Sequence, residues 1–424
     1  MSTYGPATGG LRLAPFRGLR YVPERVGSLA AVTSPPYDVV VRPGGQRELE
    51  TSDPHNVVRL ILPNEPDPAA RHRQAAWALF QWQEEGVLAA DREPALYVYE
   101  QRDGDLVQRG LIGALRLTRP EERVVLPHED VMPGPVADRA SLMRATAANL
   151  EPLLLTYEGG GAAAEIIDRT AQEREPLLET TTEDGIRHRL WTLTDPADLA
   201  AVDADLARHQ ALIADGHHRW ATYLRLQEEQ HGPSPWDYGL VLLVDSARYP
   251  LRVRAIHRVL PRLPVEDAIR TVRGAFRVQE TEGPLERALD ALAAASAAGN
   301  AFLLTGGNGR FHLLDRPDPR LLDEAVPHDR PEAWRRLDAT VLHCLLLDRV
   351  WQVPDAPEHI QYIHDTQAAV DQAARFGGTA VLMHPVREDV VRELARQGVT
   401  MPRKSTSFGP KPATGLVLRS LELE

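Results

Sequence analysis

The sequence predicts a mixed α+β fold with mixed sheets, and three observations support this. Apolar runs typical of strands are connected in some places by hairpin turns and in others by segments with helical periodicity, so antiparallel and parallel pairing are both expected. The chain has 424 residues, more than one small core can organise. Its 43% hydrophobic and 25% charged residues are ordinary for a globular protein. We expect two domains, 1–262 and 263–424, divided near the segment Pro261–Pro264.

Composition and charge argue against several classes of protein. A formal net charge of −12 disfavours a general nucleic-acid binder, which needs a basic face to collect phosphates. No apolar run approaches the ~20 residues that span a bilayer, and the N-terminus lacks a signal pattern. The single cysteine, Cys344, excludes an intrachain disulfide. The sequence therefore predicts a cytoplasmic protein without nucleic-acid or membrane partners, and leaves a homo-oligomer open.

Apolar periodicity predicts the elements of the first 200 residues, with a period of two for strands and about 3.6 for helices. They are extended runs at 11–22 and 56–63, a helix at 68–86, strands at 95–101 and 109–117, a helix at 140–150, a strand at 153–157 and a helix at 162–174. Hairpin turns are expected at Asp103-Gly104 and Asp184-Gly185. Asp195-Pro196 has the order of a helix cap followed by proline.

The second half continues with a more regular alternation of helices and strands, which predicts an α/β domain. The predicted elements are strands at 239–245 and 251–260, a helix at 265–274, a strand at 276–279, a helix at 285–298, a hairpin at Gly306-Gly307, a long helix at 333–351, a strand at 360–365, a helix at 366–376, a strand at 379–383 and a helix at 387–396.

The segment 126–139, L-P-H-E-D-V-M-P-G-P-V-A-D-R, is predicted to be a loop that gathers titratable side chains. Among them are His128, Glu129 and Asp130, followed by Asp138, which is expected to cap the next helix, and Arg139. Carboxylates in such a loop can hold Mg²⁺ or accept a proton. A solvated acidic loop would have the same composition, so both interpretations stay open.

The strongest functional signal is L-I-A-D-G-H-H-R-W-A-T-Y-L-R-L-Q at 212–227, which predicts a strand, a tight turn and a helix. His217, His218 and Arg219 occupy the first helical turn, where the helix dipole is already positive. Cations there are unfavourable unless an anion lies among them, and backbone N–H groups at Gly216 with a guanidinium would form a phosphate cradle. An ordinary turn with solvated side chains is the alternative, while a metal site is disfavoured because H-x-x-x-H and a cysteine pair are absent.

The C-terminal segment M-P-R-K-S-T-S-F-G-P-K at 401–411 is rich in hydrogen-bond donors. Lys404, Ser405, Thr406 and Lys411 suit phosphate recognition, Lys as a point charge and the hydroxyls as donors. The alternative is a basic tail, against which an apolar run at 416–418 predicts a strand that docks the loop. Neither G-x-x-x-x-G-K-[ST] nor G-x-G-x-x-G is present.

Five segments in a fixed order resemble a bacterial and archaeal domain-of-unknown-function family, of the DUF1015 type, over nearly the whole chain. They are S-P-P-Y-D-V at 34–39, P-H-E-D…D-R at 127–139, A-D-G-H-H-R at 214–219, H-R-V at 257–259 and M-P-R-K-S-T-S-F-G-P-K…G-L at 401–416. The chain departs from the family at Asp130 and Val131, because the His-Glu pair is commonly followed there by Lys or Thr.

The segment A-D-G-H-H-R also resembles the phosphate-binding G-x-x-R turn of the ParB/sulfiredoxin-like fold, and the D-G-H-H-R of archaeal free-serine kinases. This resemblance implies a ParB/sulfiredoxin-like nucleotide-binding core, in which Gly216, His217, His218 and Arg219 contact nucleotide phosphates. It extends no further, since the serine kinases are much shorter and their catalytic carboxylate cannot be placed by motif.

The sequence thus predicts a nucleotide-dependent kinase for a small hydroxylated metabolite, with serine as one candidate and ATP or ADP and Mg²⁺ as cofactors. Glu129 is the predicted general base, His128 or Asp138 assist, and Glu129 and Asp138 are the predicted Mg²⁺ ligands. The other predicted site residues are, for the nucleotide, Asp215, Gly216, His217, His218, Arg219, Lys404, Ser405, Thr406 and Lys411, and, for the substrate, Tyr37, Asp38 and Arg139. The alternatives are a non-catalytic nucleotide-sensing switch and a metal-dependent hydrolase that uses His128, Glu129, His217 and His218.

Overall fold

The structure, a computed structural model, describes residues 9–40 and 44–424 and consists of two units. The first unit comprises the chain up to Pro127 together with Val131–Leu251 and Pro410–Glu424, and the second comprises His128–Asp130 and Arg252–Gly409. The predicted α+β class with mixed sheets is confirmed, because both parallel and antiparallel strand pairs occur. The N-terminal residues on which the missing signal pattern depends lie largely outside the described residues.

The first unit is built on a large mixed sheet. Its strands, in spatial order, are Val125–Leu126, Ala211–Asp215, Leu153–Tyr157, Tyr238–Asp245, Leu106–Arg116, Leu96–Asp103, Arg187–Leu193 and Leu178–Thr181, with Leu13–Ala14 paired to Leu106–Arg116. A smaller sheet pairs, in order, Leu88–Ala90, Gly18–Tyr21, Leu418–Ser420 and Ala148–Asn149. The strand predicted after the C-terminal loop therefore exists and ties that end of the chain to the first unit.

Helices cover the sheets of the first unit. They are Leu29–Val32, Gly45–Ser52, Val58–Ile61, Pro68–Glu84, Pro133–Thr146, Ala162–Glu173, Pro196–Leu206 and His217–Glu228, with short 3₁₀ turns at Pro23–Arg25, Pro120–Glu122, Pro235–Asp237 and Leu421–Leu423. Asp195 caps Pro196–Leu206 as predicted, accepting from the N–H groups of Ala197 and Asp198. Apolar side chains of the large sheet and of the helices packed on it, such as Leu155, Trp220 and Val241, form one buried core, and a second core lies around the smaller sheet.

The second unit has its own core and contains an antiparallel sheet whose spatial strand order differs from the order of the strands in the chain. Its strands, in spatial order, are Arg277–Glu282, Arg310–Asp315, Phe302–Thr305, Thr379–Met383, His257–Leu260 and Gln361–Ile363, and Arg252–Arg254 pairs separately with Ser407–Gly409. Its helices are Val265–Val272, Leu285–Ser296, Pro319–Ala325, Glu332–Arg335, Asp338–Val341, the π-helix Leu342–Val350, Thr366–Phe376 and Glu388–Arg396. In the described part of the chain, no helix combines the length and apolar character needed to cross a membrane.

Three predicted elements are wrong, and side-chain hydrogen bonds explain two of them. The extended run at 56–63 is a helical turn, Val58–Ile61, because the Asn56 side-chain oxygen accepts from the N–H of Val58 and starts the turn. The long helix at 333–351 is broken, since the Asn300 amide binds the carbonyl of Arg336. The helix predicted at 140–150 begins at Pro133, so Asp138 lies inside it and does not cap it.

Candidate functional site

The strand Ala211–Asp215 ends in a turn that only glycine can make. Gly216 has φ 98°, in the left-handed region, and precedes the helix His217–Glu228. A Cβ atom at this position would also lie 2.4 Å from Cδ2 of Leu153. The predicted strand, turn and helix are therefore confirmed, and the backbone conformation and the close packing both require glycine.

The helix that follows begins without a side-chain cap and without an acidic residue in its first turn. The first N–H groups of a helix have no partner inside the helix, and they carry the positive end of its dipole. The Nε2 atom of His218 accepts a hydrogen bond from the N–H of Met132 at 3.1 Å, so this atom already has a partner. The helix start is thus suited to an oxyanion mainly through its backbone.

Arg219 points into the protein. Its side chain is 2% exposed, its Nη2 lies 2.9 Å from Oδ2 of Asp215, and its Nη1 donates to the carbonyl of Pro152 at 3.0 Å. Burial alone would lower the pKa of Arg219, but Glu151 and Asp215 raise it above the ordinary value. The expectation that a bound anion must compensate this cation is wrong, because the protein's own carboxylates do so.

Lys411 joins two carboxylates of the first unit. Its Nζ lies 2.5 Å from Oδ2 of Asp38 and 2.5 Å from Oδ1 of Asp215. Burial would lower the pKa of Lys411, yet Asp215 and Asp38 raise it, so the ammonium group stays charged. Asp215 therefore binds Arg219 with one oxygen and Lys411 with the other, which fixes its carboxylate beside the Gly216 turn.

The loop that carries Lys411 is held on both sides of that residue. Before it, the Gln101 side chain donates to the carbonyl of Pro410 at 3.1 Å. After it, the N–H of Ala413 donates to the hydroxyl of Tyr99 at 3.2 Å. The backbones of Ser34 and Thr414 then exchange two hydrogen bonds, which joins this loop to the loop that carries Asp38. Lys411 and Asp38 are thus positioned together.

Tyr37 and Arg139, the other predicted substrate residues, lie around a buried glutamate. The Tyr37 ring lies under the Arg139 guanidinium at 4.7 Å, and its N–H donates to Glu151 at 2.9 Å. Burial raises the pKa of Glu151, while Arg219 and Arg139 oppose that shift. Burial also raises the pKa of Tyr37 to about 12. Glu151, Tyr99 and Gln101 were missed in the sequence, since no motif marks them and only the fold brings them to the site.

Asp138 neighbours Arg139 on the same helix. Its carboxylate lies 2.6 Å from Nη2 of Arg139 and 3.1 Å from Nε2 of His72. Burial would raise the pKa of Asp138, but the hydrogen bonds from Arg139 and His72 outweigh it and lower the pKa. Asp138 is therefore held as an anion in the first unit.

The remaining predicted residues form a separate group in the second unit. The Thr406 hydroxyl donates to Oε1 of Glu129 at 3.3 Å and contacts Nε2 of His128 at 2.8 Å. Burial raises the pKa of Glu129, which Lys404 and the N–H groups of Thr406 and Ser405 oppose. Lys404 itself has φ 58°, which is unusual for a residue with a side chain. His128, Glu129 and the 404–406 segment are thus brought together by hydrogen bonds.

Across the described ranges 9–40 and 44–424, no group of three or more His, Cys, Asp and Glu side chains could hold a metal ion. The two predicted Mg²⁺ ligands belong to different units, Asp138 to the first and Glu129 to the second.

Comparison with solved structures shows similarity to several chains, among them the following three. A free serine kinase variant in complex with ADP is 16% identical, with 71% of this chain and 90% of that chain covered at a TM-score of 0.36. A conserved hypothetical protein from Pyrococcus furiosus is 15% identical, with 71% and 94% covered at 0.36. SbnI from Staphylococcus aureus, with a C-terminal truncation, is 11% identical, with 74% and 89% covered at 0.37. TM-scores this low carry no argument about function.

No curated protein matches the chain. A family model, by contrast, covers most of it, residues 13–340, and includes the Tyr37–Asp38 loop, the His128–Glu129 segment and the Asp215–Arg219 turn. The chain therefore belongs to the family described as protein of unknown function DUF1015.

Proposed function

We propose that the protein is a nucleotide-dependent phosphotransferase that acts on a small hydroxylated metabolite in the cytoplasm, an amino acid such as serine being one candidate. One observation carries the proposal: Lys411 lies 2.5 Å from both Asp38 and Asp215 in the same unit as the uncapped helix start at Gly216. Phosphoryl transfer needs positioned cations and dipoles for the phosphates and carboxylates for metal or proton, and the first unit supplies both kinds of group.

In this proposal the backbone N–H groups after Gly216 bind phosphate oxygens, with His217 and His218 beside them. Lys411 is proposed to share its charge between the phosphates and the carboxylates of Asp38 and Asp215. Arg219 acts indirectly, by holding the Asp215 carboxylate and the Pro152 carbonyl in place. The choice of lysine at 411 supports this, because the chain contains only two lysines, Lys404 and Lys411, and uses arginine at every other site of fixed positive charge. Lysine differs from arginine here in carrying its charge on one compact ammonium group, which lies 2.5 Å from both carboxylates.

Asp38 and Asp215 fit a role with Mg²⁺. The ion is usually held by one or two protein carboxylates together with phosphates and water, so it needs no cluster of three protein ligands. Bound there, it would turn the repulsion between phosphate and these two carboxylates into attraction. Asp38 is the more exposed of the pair, with 32% of its side chain accessible against 12% for Asp215. We place Asp38 on the side of the proposed ion that faces the phosphoryl acceptor, together with Tyr37 and Arg139.

The roles predicted for the second-unit residues are kept as proposals. Glu129 is proposed as the general base, and burial raises the pKa of its carboxyl above the ordinary value, which favours proton uptake. His128 is proposed to assist it, as is Asp138 of the first unit. Lys404, Ser405 and Thr406 are proposed to bind phosphate. Replacing Glu129 with Gln should leave nucleotide binding intact and abolish turnover, and full activity of that variant would remove the base role.

The proposal is tested by measuring ADP formation from ATP and Mg²⁺ with a panel of hydroxylated compounds, serine included. Lys411→Met should lower turnover at least 100-fold and weaken ADP binding measured by calorimetry. The matched control is Arg336→Met, which removes an exposed cation paired with Glu332 and should change neither quantity. The absence of turnover with every acceptor, together with intact ADP binding, would remove the phosphotransferase and favour a nucleotide-sensing switch.

A further inference from the structure

Arg258 is the central residue of the H-R-V segment, and the proposed function gives it no role. It lies on the strand His257–Leu260, which pairs on both sides in the sheet of the second unit. Its side chain is fully buried, with 0% of the residue exposed. Arginine is almost never fully buried without a charged partner, so the surroundings of this guanidinium need an explanation.

Among the described residues, the groups that directly contact the Arg258 guanidinium are uncharged, and the carboxylates of Glu129 and Asp355 act on it only from farther away. Its Nη1 donates to the carbonyl of Ile256, its Nη2 lies 3.4 Å from Nε2 of His343, and its Cζ lies 4.8 Å from the centre of the Tyr362 ring. Its Nε is buried without a hydrogen-bond partner among the described residues. Within the same described ranges no carboxylate oxygen lies within 4.0 Å of this guanidinium. Burial lowers the pKa of Arg258 to about 10, and that of His343 to about 4, so His343 is neutral.

Other arginines of this chain show what the Nε and Nη2 edge of a guanidinium binds. Arg419, equally buried, uses this edge for the carboxylate of Glu424. Arg277, in the same unit as Arg258, uses it for Asp315, with Nε 2.7 Å from the carboxylate. The corresponding edge of Arg258 has an unbonded Nε and only a long contact from Nη2. The Nε and Nη2 atoms of Arg258 could therefore bind a carboxylate in the same two-atom arrangement.

The residues around Arg258 are placed by unusual backbone. His343 lies in the π-helix Leu342–Val350, in which Trp351 donates to the carbonyl of Leu346. Such helices are rare and frequently found at functional sites. His343 and Tyr362 are themselves only half-buried. The guanidinium is therefore flanked by two side chains that are themselves partly exposed.

We propose that the second unit binds a small carboxylate-bearing ligand, whose carboxylate pairs with the Nε and Nη2 edge of Arg258 between His343 and Tyr362. Nη2 would then exchange its long contact with the imidazole for a charge-assisted hydrogen bond. Glu129 and Asp355 already act on this guanidinium from beyond hydrogen-bond distance, so a bound monoanion adds less negative charge to the interior than a phosphate dianion would. This inference does not depend on the proposed phosphotransferase function.

The test is a titration of the full-length ¹⁵N-labelled protein with sodium acetate, sodium phosphate and sodium chloride at constant ionic strength. The Nε–H resonance of Arg258 is identified by its absence in Arg258→Lys. Acetate should shift this resonance along a saturable curve, and phosphate and chloride should not. No saturable shift with acetate, or saturation by phosphate alone, would overturn the proposal, and only the assignment of the resonance requires the Arg258→Lys variant to fold.

Two variants sharpen the test by calorimetry with acetate. Arg258→Met should weaken binding at least tenfold, whereas Arg277→Met, which removes a guanidinium already paired with Asp315, should bind acetate like the wild type. Equal binding by wild type and Arg258→Met would overturn the proposal. ADP binding, which the proposed function assigns to the first unit, should stay unchanged in both variants.

Discussion

Two buried guanidinium groups, one in each unit, have opposite surroundings. Arg219 in the first unit and Arg258 in the second are both almost fully inaccessible to solvent. Arg219 lies 2.9 Å from the Asp215 carboxylate and its pKa is raised, whereas Arg258 has only neutral partners and its pKa is lowered to about 10. Burial alone therefore does not show what a cation does. A buried cation in contact with a carboxylate stabilises the fold, whereas one without such a contact can still bind an anionic ligand.

The largest expected loss of stability comes from removing the carboxylate of Asp215, which Arg219 and Lys411 share. Asp215→Asn should lower the free energy of unfolding by about 4 kcal/mol, since it leaves Arg219 and Lys411 buried with one partner fewer. Urea unfolding measures the effect. The control is Asp203→Asn, whose partner Arg12 is half exposed, and it should cost less than about 1 kcal/mol. Equal effects of the two variants would contradict the role given to Asp215.

Replacing each of two buried arginines with methionine compares a guanidinium that has a carboxylate partner with one that has none. Arg419→Met removes a buried guanidinium that binds Glu424, Asn149 and two carbonyl groups, and it should lower the free energy of unfolding by about 3 kcal/mol. Arg258→Met removes a buried cation without a carboxylate partner, and it should change stability by less than about 1 kcal/mol.

Thermal and urea unfolding of both variants, without added carboxylates, measure the difference. A loss of about 3 kcal/mol for Arg258→Met would show that the neutral partners satisfy this guanidinium as well as carboxylates do.

The buried imidazole of His257, in the second unit, predicts that the free energy of unfolding depends on pH. Burial and the nearby Arg258 lower the pKa of His257 to about 4, and its Nδ1 accepts from the N–H of Met383 at 3.2 Å. A histidine whose folded pKa is depressed must lose its proton on folding. The stability it contributes is complete above its unfolded pKa of about 6.5 and is lost as the pH falls towards 4.

Between pH 7 and pH 5 this imidazole should account for a loss of about 2 kcal/mol in the free energy of unfolding. His257→Gln removes the titrating group, so its urea unfolding should vary less with pH than that of the wild type by that amount. The raised pKa of Asp338, about 6, acts with the opposite sign, but it is common to both proteins and cancels in the comparison. Parallel pH profiles would exclude a neutral buried His257.

The smallest expected effect concerns the turn beside the compensated cluster. Gly216→Ala and Gly232→Ala both place a side chain at positive φ, 98° and 111°, but only position 216 has an atom in the way. Gly216→Ala should therefore lose about 1 kcal/mol more stability than Gly232→Ala. It should also weaken ADP binding, measured by calorimetry, because the helix start moves. Unchanged ADP affinity in Gly216→Ala would count against phosphate binding at this turn.

Much of the secondary structure could be predicted because it follows from local rules. The Asp103-Gly104 and Asp184-Gly185 hairpins, the Asp195 cap and the strand and helix on either side of Gly216 each depend on a few neighbouring residues. One error occurs where a distant polar group decides. The amide of Asn300 interrupts a helix more than thirty residues away, and no local periodicity records that contact.

The candidate sites divide in the same way. Their motifs, D-G-H-H-R and the loops with Asp38 and Lys411, were recognisable from residue types alone. The partners of these residues were not. The sequence placed cations at a helix start and implied an external anion, whereas the fold brings Asp38, Asp215 and Glu151 to those cations. Arg258 drew attention only as part of H-R-V, and nothing in the sequence indicated its burial.

By itself the sequence determined the class of fold, the Gly216 turn and the family, since these depend on apolar periodicity, on glycine's freedom at positive φ and on motif order. Only the tertiary structure decided which charges are compensated. Electrostatic energy depends on distance and on the surrounding dielectric, and the residues that supply both, such as Asp38 to Lys411 or His343 to Arg258, are far apart in the chain.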